Sequence, residues 1–379
     1  MAREPGTDRR ILLNDFAAQW ADIREPAMQV VERVGRSGWL ILGPEVAAFE
    51  AALAERWGIP HAVGCGNGLE ALELCLKGLG LKPGQKVLTT PLSAFATTLA
   101  IVNAGGVPAF IDVDESGLMD LDLAERVLGK RDDIRWVVPV HLYGHALDLK
   151  RLKSLQERFG LTVVEDCAQA IGALSHGQPV GSVGQGAAAS FYPTKNLGAM
   201  GDGGAVLTRS PELAKLVRGL RNYGEAGKYD HAYLGMNSRL DELQAALLAT
   251  VLLPRLEGWT RRRAELAARY REGLRNPALA VPPVPAASRS VWHLFPVLIS
   301  GDRKQFQAHL GAAGITTALH YPRLIPDQPA LQANGSCERL TPLPRASRFT
   351  SAEVSLPVHP YLSDADVDRV VEVCNDWRG

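Results

Sequence analysis

The sequence lacks an excess of either charge, and it also lacks paired cysteines and long apolar stretches. Lys and Arg together number 41, as do Asp and Glu, so the formal net charge is zero. A protein that binds nucleic acid needs a basic stripe, and this balance argues against one. The arginine run at 261–263 stands in a stretch of helical composition and is interpreted as a solvated helix face.

The five cysteines are scattered and form no C-x-x-C pair. Because an odd number of thiols without metal-ligand spacing is typical of a reducing compartment, we expect a cytoplasmic protein. Residues 1–6 have no apolar core, so we expect no signal peptide there. No apolar stretch reaches the ~20 residues of a membrane helix, so we expect no membrane partner.

The pattern of apolar runs predicts an α/β fold. Strands are predicted at 61–65, 86–89, 107–111, 135–140 and 161–164, and helices at 68–79, 95–104, 121–128 and 147–159. Because strands alternate with crossover helices, we expect a mostly parallel, buried sheet.

Three segments are predicted along the chain. They are an N-terminal arm and helix over 1–50, a large domain over 51–255 and a small C-terminal α+β domain over 256–379. Long helices over about 240–275, interrupted at Pro254, are expected to link the domains. Other predicted elements are helices at 45–57, 303–311 and 363–374 and strands at 292–299 and 316–320.

A carboxylate at the end of an apolar strand is the first candidate for chemistry. Asp166 follows the apolar run 161–164, and ligands of parallel sheets gather at the carboxyl ends of strands. A buried carboxylate needs a partner. That partner is either the following turn, which Asp166 would cap, or the protonated ring nitrogen of a cofactor. Gln169 favours the second reading, because its amide would reach the phenolic oxygen of the same cofactor.

Lys195 stands between two runs of small residues, at 184–189 and 201–205. It is either a surface lysine or a buried amine, and the glycine-rich flanks favour burial because they permit close backbone approach. We expect burial next to other cationic groups to lower its pKa, which suits a proton carrier. A buried amine, a strand-end carboxylate and the nearby hydroxyl of Ser190 are the groups that pyridoxal phosphate requires.

Two further features add to this pattern. Residues 64–68, Gly-Cys-Gly-Asn-Gly, end a strand and begin a helix, where backbone amides can bind a phosphate. The full dinucleotide spacing G-x-G-x-x-G is missing. Phe95 follows the second strand, where it would stack on a flat ring or pack in the core.

No metal site is predicted. His141, Tyr143 and His145 form the sequence His-Leu-Tyr-Gly-His, but no acidic or cysteine ligand follows at metal spacing. Asp112 and Asp114 are interpreted as a strand-end turn rather than a general acid–base pair.

Together these segments resemble the DegT/StrS-type sugar aminotransferases, which are fold-type I pyridoxal-phosphate enzymes. The resemblance runs from about residue 12 to the C-terminus, and the matching stretches are 37–44, 66–72, 140–144, 165–173, 190–204 and 237–246. It implies a large domain with a seven-stranded type of sheet between helices and a smaller C-terminal α+β domain.

The resemblance also implies roles for single residues. Lys195 corresponds to the Schiff-base lysine and Asp166 to the partner of the pyridinium nitrogen. Gln169 corresponds to the ligand of the phenolic oxygen, and Phe95 to the aromatic residue that stacks on the ring.

The phosphate site departs from the family pattern. Much of the family has Ser-Gly-Thr where this chain has Asn67, Gly68 and Leu69. Because Leu69 has an amide but no hydroxyl, phosphate binding is assigned to backbone amides, Asn67 and Ser190. By resemblance, the partner subunit donates Asn237 to the same phosphate, which implies a homodimer with a shared active site.

Three motifs resemble the subgroup that acts at carbon 3 of dTDP-linked 3-keto-6-deoxyhexoses. They are the sequence Gly-Asn-Gly-Leu-Glu-Ala-Leu at 66–72, Arg-Asn-Tyr-Gly at 221–224 and His-Tyr-Pro at 320–322. We therefore expect Tyr223, His320 and Tyr321 to contact the substrate.

The function implied is a ping-pong transamination in deoxyamino-sugar biosynthesis. L-glutamate would convert the cofactor to pyridoxamine phosphate and leave as 2-oxoglutarate, and a nucleotide-linked keto sugar would then receive the amino group. One alternative is a transaminase for carbon 4 or for a cyclitol. A sugar dehydratase is disfavoured because those relatives have histidine in place of Lys195, and a third alternative is a cofactor-bound regulatory or scaffold protein.

Overall fold

The computed structural model describes residues 10–286, 288–335 and 337–379. Its largest element is an eight-stranded sheet. In spatial order the strands are β1 (His61–Cys65), β9 (Gly204–Thr208), β8 (Gly186–Ser190), β5 (Thr162–Asp166), β4 (Ile134–Val138), β2 (Lys86–Thr89), β3 (Val107–Phe110) and β15 (Glu338–Arg339). The pairings from β8 to β15 are parallel, whereas β9 is antiparallel to β1 and β8. The predicted mostly parallel sheet is confirmed, with a two-residue eighth strand added.

Helices cover both faces of this sheet. Neighbouring residues of a strand point to opposite faces, so each strand contributes apolar side chains to both layers of helices. Val87 and Val164 belong to one buried cluster, and Leu88 and Val163 belong to another. The first cluster includes α3 (Gly68–Gly78), α4 (Phe95–Asn103) and α7 (Pro211–Leu220). The second includes α5 (Leu121–Leu128) and α6 (Leu149–Phe159). Burial on both faces explains why the strands have continuous apolar sequences.

The N-terminal helices are α1 (Phe16–Ser37) and α2 (Pro44–Trp57), and they pack against α8 (Glu242–Leu247). The buried carboxylate of Glu242 accepts hydrogen bonds from the amides of Gly43, Glu45 and Val46, at 2.8, 2.9 and 2.8 Å. These amides belong to the start of α2, where helical geometry leaves N–H groups without partners. A side chain from the middle of the chain therefore caps a helix near its beginning.

The C-terminal part has its own antiparallel sheet. Its strands are β12 (Leu279–Ala280), β14 (Phe295–Ile299) and β16 (Glu353–Leu356), with β14 in the centre. The helices of this part are α9 (Leu256–Gly273), α10 (Arg303–Ala312), α11 (Pro329–Asn334), α12 (Pro344–Ala352) and α13 (Asp364–Asp376). A separate apolar cluster lies between this sheet and α9, α10 and α13.

Short strands complete the described structure. They are β6 (Leu174–Ser175), β7 (Gln178–Pro179) and β13 (Ser288–Arg289), which form one sheet, and β10 (Glu225–Gly227) and β11 (Asp230–His231), which form another. Within the ranges that the structure describes, no helix is long and apolar enough to cross a membrane.

Several predicted boundaries are wrong. Residues 316–320 form no strand, and Ala318 makes only an isolated bridge to Ser355. The predicted helix at 240–275 is broken by a π-helical turn at Leu248–Leu252 and a 3-10 turn at Leu253–Arg255, so the break begins before Pro254. Residues 1–9 of the predicted arm lie outside the described part of the chain. The three-segment domain division stays a prediction, although β15 of the predicted small domain pairs with β3 of the large one.

Candidate active site

Asp166 ends β5 and is 5% exposed. Its Oδ1 accepts the amide N–H of Ala168 at 3.0 Å, and its Oδ2 accepts the hydroxyl of Thr97 at 2.8 Å. Because Thr97 donates to the carboxylate, its oxygen accepts from the Ser93 hydroxyl, 2.9 Å away. Each carboxylate oxygen keeps capacity for a further hydrogen bond. The carboxylate is therefore fixed by its own turn and by the first turn of α4, and it can still accept a ligand N–H.

Lys195 follows β8 in a turn that is closed by its own amide N–H donating to the carbonyl of Tyr192. Desolvation lowers the pKa of its amine to about 8, and the negative charge of Asp166 opposes this shift. The direction agrees with the prediction from sequence, but burial causes it and not neighbouring cationic groups. The amine and the carboxylate thus influence each other at the carboxyl edge of the sheet, as expected for strand-end residues.

Gly68 and Ser190 lie very close together beside this pair. A Cβ atom on Gly68 would lie 2.6 Å from the Cβ atom of Ser190, closer than side chains allow. The neighbouring strand β9 lies equally close to the start of α3, since a Cβ atom on Gly204 would lie 2.4 Å from the carbonyl carbon of Asn67. Glycine at these positions brings the first amides of α3 beside the Ser190 hydroxyl, and such a helix N-terminus binds anions.

Asn67 caps α3. Its side-chain oxygen accepts the amide N–H of Glu70 at 2.9 Å. The oxygen is therefore used within the helix cap, while the amides of Gly68 and Leu69 stand in the first turn without intrahelical acceptors. Of the phosphate ligands expected from sequence, these amides and the Ser190 hydroxyl are brought together.

Gln169 links the Asp166 turn to a distant segment. Its Oε1 accepts the amide N–H of Tyr143 at 2.9 Å, and its Nε2 donates to the hydroxyl of Tyr321 at 3.0 Å. The Tyr143 hydroxyl in turn donates to the carbonyl of His320 at 2.7 Å. Since Nε2 has a second hydrogen, Gln169 can still donate to a ligand. The structure therefore brings His320 and Tyr321 to the same site as Gln169.

A hydrogen-bonded triad that the sequence did not reveal consists of Glu353, Ser355 and His320. Its imidazole Nδ1 lies 2.8 Å from the Ser355 hydroxyl oxygen, which donates to Glu353 at 2.5 Å. The second carboxylate oxygen of Glu353 accepts the amide N–H of His320 at 2.6 Å. Burial raises the pKa of Glu353 to about 7, and burial together with the charge of Lys195 lowers the pKa of His320 to about 4.

His320 lines a small cavity. Thr194, Arg263 and His293 also line it. The pKa of His293 is lowered, first by burial and then by the charge of Lys195. Two neutral imidazoles therefore stand near the lysine amine.

Tyr223 and Asn237 lie together, but on an exposed surface. The amide N–H of Tyr223 donates to the carbonyl of Met236, and Asn222 bridges to Asn237. Both Tyr223 and Asn237 are exposed, and Arg239 stacks over the Tyr223 ring at 5.5 Å. Phe95, by contrast, begins α4 and packs against the buried Phe110 cluster, so it is partly a core residue.

His141 takes part in a structural network rather than an open metal site. Its Nε2 lies 2.8 Å from Glu165, and its Nδ1 accepts the amide N–H of Leu147 at 3.1 Å. Glu165 also accepts three backbone amides, from Gly181, Val183 and Gly184. Cys167 lies within ligand distance of this pair, but burial raises the pKa of its thiol well above the usual value. The hydrogen bonds already present leave these groups poorly suited to a cation.

Comparison with known proteins agrees with this geometry. A profile of the DegT/DnrJ/EryC1/StrS aminotransferase family matches residues 21–375. The chain belongs to this family. It is 41% identical over 370 residues to dTDP-3-amino-3,4,6-trideoxy-alpha-D-glucose transaminase of Streptomyces venezuelae, covering 97% of this chain and 96% of the relative.

Two solved structures of similar proteins extend the comparison. The crystal structure of S. venezuelae DesV with a ketimine intermediate has a TM-score of 0.92 and 41% identity, covering 97% of this chain and 98% of that one. The structure of NtdA from Bacillus subtilis with the bound cofactor PMP has a TM-score of 0.84 and 28% identity, covering 93% and 81%. Aminotransferases of this fold are thus known with a pyridoxamine-type cofactor.

The residues of this chain fit such a cofactor. Gly68 lets the first turn of α3 approach Ser190 so closely that a Cβ atom would lie 3.1 Å from the Ser190 hydroxyl oxygen, which sets that hydroxyl beside the helix N-terminus. Asp166 is buried and has free acceptor capacity, and Lys195 is a desolvated amine. Anion-binding amides, an acceptor for a ring N–H and a nucleophilic amine are what pyridoxal phosphate demands of a protein.

Proposed function

We propose that this protein is a pyridoxal-phosphate-dependent aminotransferase that transfers the amino group of L-glutamate to carbon 3 of a dTDP-linked 3-keto-6-deoxyhexose. The observation that supports this most is the desolvated amine of Lys195 within the electrostatic reach of Asp166. The name of the S. venezuelae relative supports both carbon 3 and the dTDP carrier.

Residues from α3, β5, β8 and the turns that follow these strands would hold the cofactor. Lys195 would bind its aldehyde carbon, Asp166 its ring N–H, and the first amides of α3 with Ser190 its phosphate. When bound, the pyridoxal group supplies an electron-accepting ring. Asp166 keeps a proton on the ring nitrogen, because a close carboxylate favours the charged form of its partner. Gln169 would donate its second N–H to the phenolic oxygen, and its two existing hydrogen bonds hold that amide in place.

Lys195 also moves the proton. Once an amino substrate has replaced it, the amine is free, and a pKa of about 8 allows it both to accept and to release a proton near neutral pH. It takes the proton from the α-carbon of glutamate in the first half-reaction, which releases 2-oxoglutarate. In the second half-reaction the same amine would hold and deliver the proton that carbon 3 of the sugar receives.

His320 and Tyr321 are proposed to contact the sugar. Tyr321 is held by Gln169, and His320 by Tyr143 and Ser355, so both side chains are ordered before substrate arrives. Ordered binding groups lose little entropy when the substrate binds.

The active site is proposed to be shared in a homodimer. Large exposed apolar side chains occur at 39–41, where Ile41 bridges to Asp241, and at Met200, whose amide N–H donates to Gln244. Leu234 is 99% exposed, three residues before Asn237. Exposed apolar patches of this kind mark interfaces, and burying this one would carry Asn237 and its neighbour Tyr223 into the partner's site.

The first test is the visible spectrum of the purified protein before and after L-glutamate. We expect a band from the covalent link between Lys195 and pyridoxal phosphate, and we expect glutamate to bleach it. No band after addition of pyridoxal phosphate would overturn the proposal. A band that glutamate leaves unchanged would favour the regulatory or scaffold alternative instead.

The second test separates carbon 3 from its rivals. The glutamate-treated protein is mixed with dTDP-3-keto and dTDP-4-keto sugars and with a cyclitol ketone, and the return of the band is followed. We expect the 3-keto sugar to restore it fastest. Faster recovery with either rival would reassign the position of the amino group while keeping the reaction class.

A further inference from the structure

The hydrogen bonds around His320 form a closed ring. Glu353 accepts the backbone N–H of His320 with one oxygen, and the Ser355 hydroxyl lies between the other oxygen and the imidazole Nδ1. Glu353 and Ser355 are fully buried, so water does not compete for these bonds. The direction of each hydrogen bond can therefore be worked out from the groups themselves.

A backbone N–H can only donate, so the Glu353 oxygen that faces His320 must accept. An ionised carboxylate also accepts with its other oxygen, which makes the Ser355 hydroxyl the donor. The oxygen of that hydroxyl is then the acceptor for Nδ1, and Nδ1 must carry the imidazole proton. A neutral imidazole with its proton on Nδ1 has an unprotonated Nε2.

We propose that Glu353 and Ser355 are positioning residues that hold His320 with its proton on Nδ1, so that Nε2 accepts a hydrogen bond from a hydroxyl group of the keto sugar. The inference rests on the proposed function for the identity of the ligand. Among the described residues, the ring makes its hydrogen bond through Nδ1 and lines the cavity with Thr194, Arg263 and His293.

The charges around the ring keep it neutral. Burial and the charge of Lys195 lower the pKa of His320, and Arg263 and His293 line the same cavity as His320. Glu353 faces Tyr143, Tyr321 and Arg303 as well as His320. A neutral ring can act as an acceptor, whereas an imidazolium can only donate.

Protonation of Glu353 would reverse the ring of hydrogen bonds. A carboxyl O–H would donate to Ser355, the Ser355 hydroxyl would donate to Nδ1, and the imidazole proton would move to Nε2. His320 would then offer the sugar a donor instead of an acceptor. The charge of one buried carboxylate thereby decides which hydrogen-bond role His320 has.

The substitution Glu353→Gln imposes this reversed state at constant shape. Its carbonyl oxygen must face the backbone N–H of His320, so its NH2 group must face Ser355 and donate. Ser355→Ala instead removes the link altogether. Ser351→Ala is a matched control, because Ser351 is exposed on the neighbouring helix and its hydroxyl bonds to a carbonyl of its own turn.

Nitrogen NMR of protein labelled at histidine reports the tautomer directly and without substrate, with His320→Gln identifying the signal. At about pH 8 we expect Nδ1–H in the wild type and in Ser351→Ala, and Nε2–H in Glu353→Gln. Nε2–H in the wild type, or no change in Glu353→Gln, would overturn the proposal. Thermal melting confirms that each variant is folded.

Steady-state kinetics then test whether His320 accepts a hydrogen bond from the sugar. In Glu353→Gln and Ser355→Ala we expect the KM for the keto sugar to rise about fivefold, the worth of one hydrogen bond. The rate of bleaching by L-glutamate should change less than the KM for the sugar, because that half-reaction contains no sugar, and Ser351→Ala should change neither. An unchanged KM beside a switched tautomer would overturn the sugar contact. Failure to bleach in the wild type would refute the proposed function and leave the tautomer result standing.

Discussion

The hydroxyl of Thr97, which lies 69 residues earlier in the chain, donates to Oδ2 of Asp166 at 2.8 Å. This bond fixes the rotation of the carboxylate. We expect Thr97→Val to lower kcat about tenfold, since a hydrogen bond to a charged group contributes ~1.5–3 kcal/mol. The measurement is steady-state kinetics with saturating substrates.

The neighbouring Thr98 supplies the control for this prediction. It is fully buried, and its hydroxyl has no hydrogen-bond partner among the described residues. Thr98→Val has the same change of shape and should leave kcat unchanged. Equal losses in both variants would mean that packing, and not the bond to Asp166, is responsible.

Cofactor loading should depend on pH through Lys195. Desolvation lowers the pKa of the amine from its ordinary 10.5 to about 8, so the nucleophilic neutral form is lost as pH falls through that value. We expect cofactor-free protein to bind pyridoxal phosphate covalently at a rate that rises with pH and levels off above about 8. Stopped-flow absorbance measures this rate.

Asp166→Asn tests the direction in which the charge of Asp166 shifts the pKa of Lys195. The charge of Asp166 raises the pKa of Lys195, so its removal should move the midpoint to lower pH. Lys153→Ala, at an exposed lysine, should leave the profile unchanged. A midpoint that moves upward in Asp166→Asn would contradict the assigned electrostatic coupling.

Mixed dimers test the shared site. Lys195→Ala removes the amine, and Asn237→Asp places a negative charge where a phosphate is expected, so each variant alone should be inactive. Refolded together in equal amounts, the two should regain about a quarter of the wild-type activity, because half the dimers are mixed and each has one intact site. No recovery from a mixture that sediments as dimers would mean that Asn237 serves its own chain.

Glu242 should contribute strongly to stability. In Glu242→Ala three amides at the start of α2, one buried and two half-buried, lose their acceptor, and an unsatisfied buried donor costs ~1–3 kcal/mol. We expect the free energy of unfolding to fall by about 3 kcal/mol or more, measured by urea denaturation. Glu265→Ala, at an exposed ion pair with Arg262, should change it by less than about 1 kcal/mol.

The sequence predicted those parts of the site whose signals are local. Asp166 ends an apolar strand, and Lys195 lies in a glycine-rich turn, so each could be found from its near neighbours. Thr97 and Glu353 could not, because their partners are 69 and 33 residues away and neither stands in a recognisable pattern. The contacts that aim the predicted groups arise only when distant segments meet.

The fold shows the same limit. Five strands of the large sheet were predicted within two residues, whereas β8 and β9, which are rich in alanine and glycine or lie beside such a run, and the two-residue β15 were not predicted. Residues 316–320 have the composition of a strand, yet the amide N–H of His320 bonds to the Glu353 side chain instead of a neighbouring strand. A side-chain acceptor thus replaced the backbone pairing that the composition favoured.

The cap that Glu242 places on α2 also sets an order of events during synthesis. Val46 is synthesised 196 residues before Glu242, whose carboxylate accepts the amide N–H of Val46. At ~5–20 residues per second, the N-terminal helices wait roughly 10–40 s for this contact. Nascent chains shorter than about 240 residues therefore leave the apolar face of α2 without its final partner, which makes this stretch a natural client for chaperones that act at the ribosome.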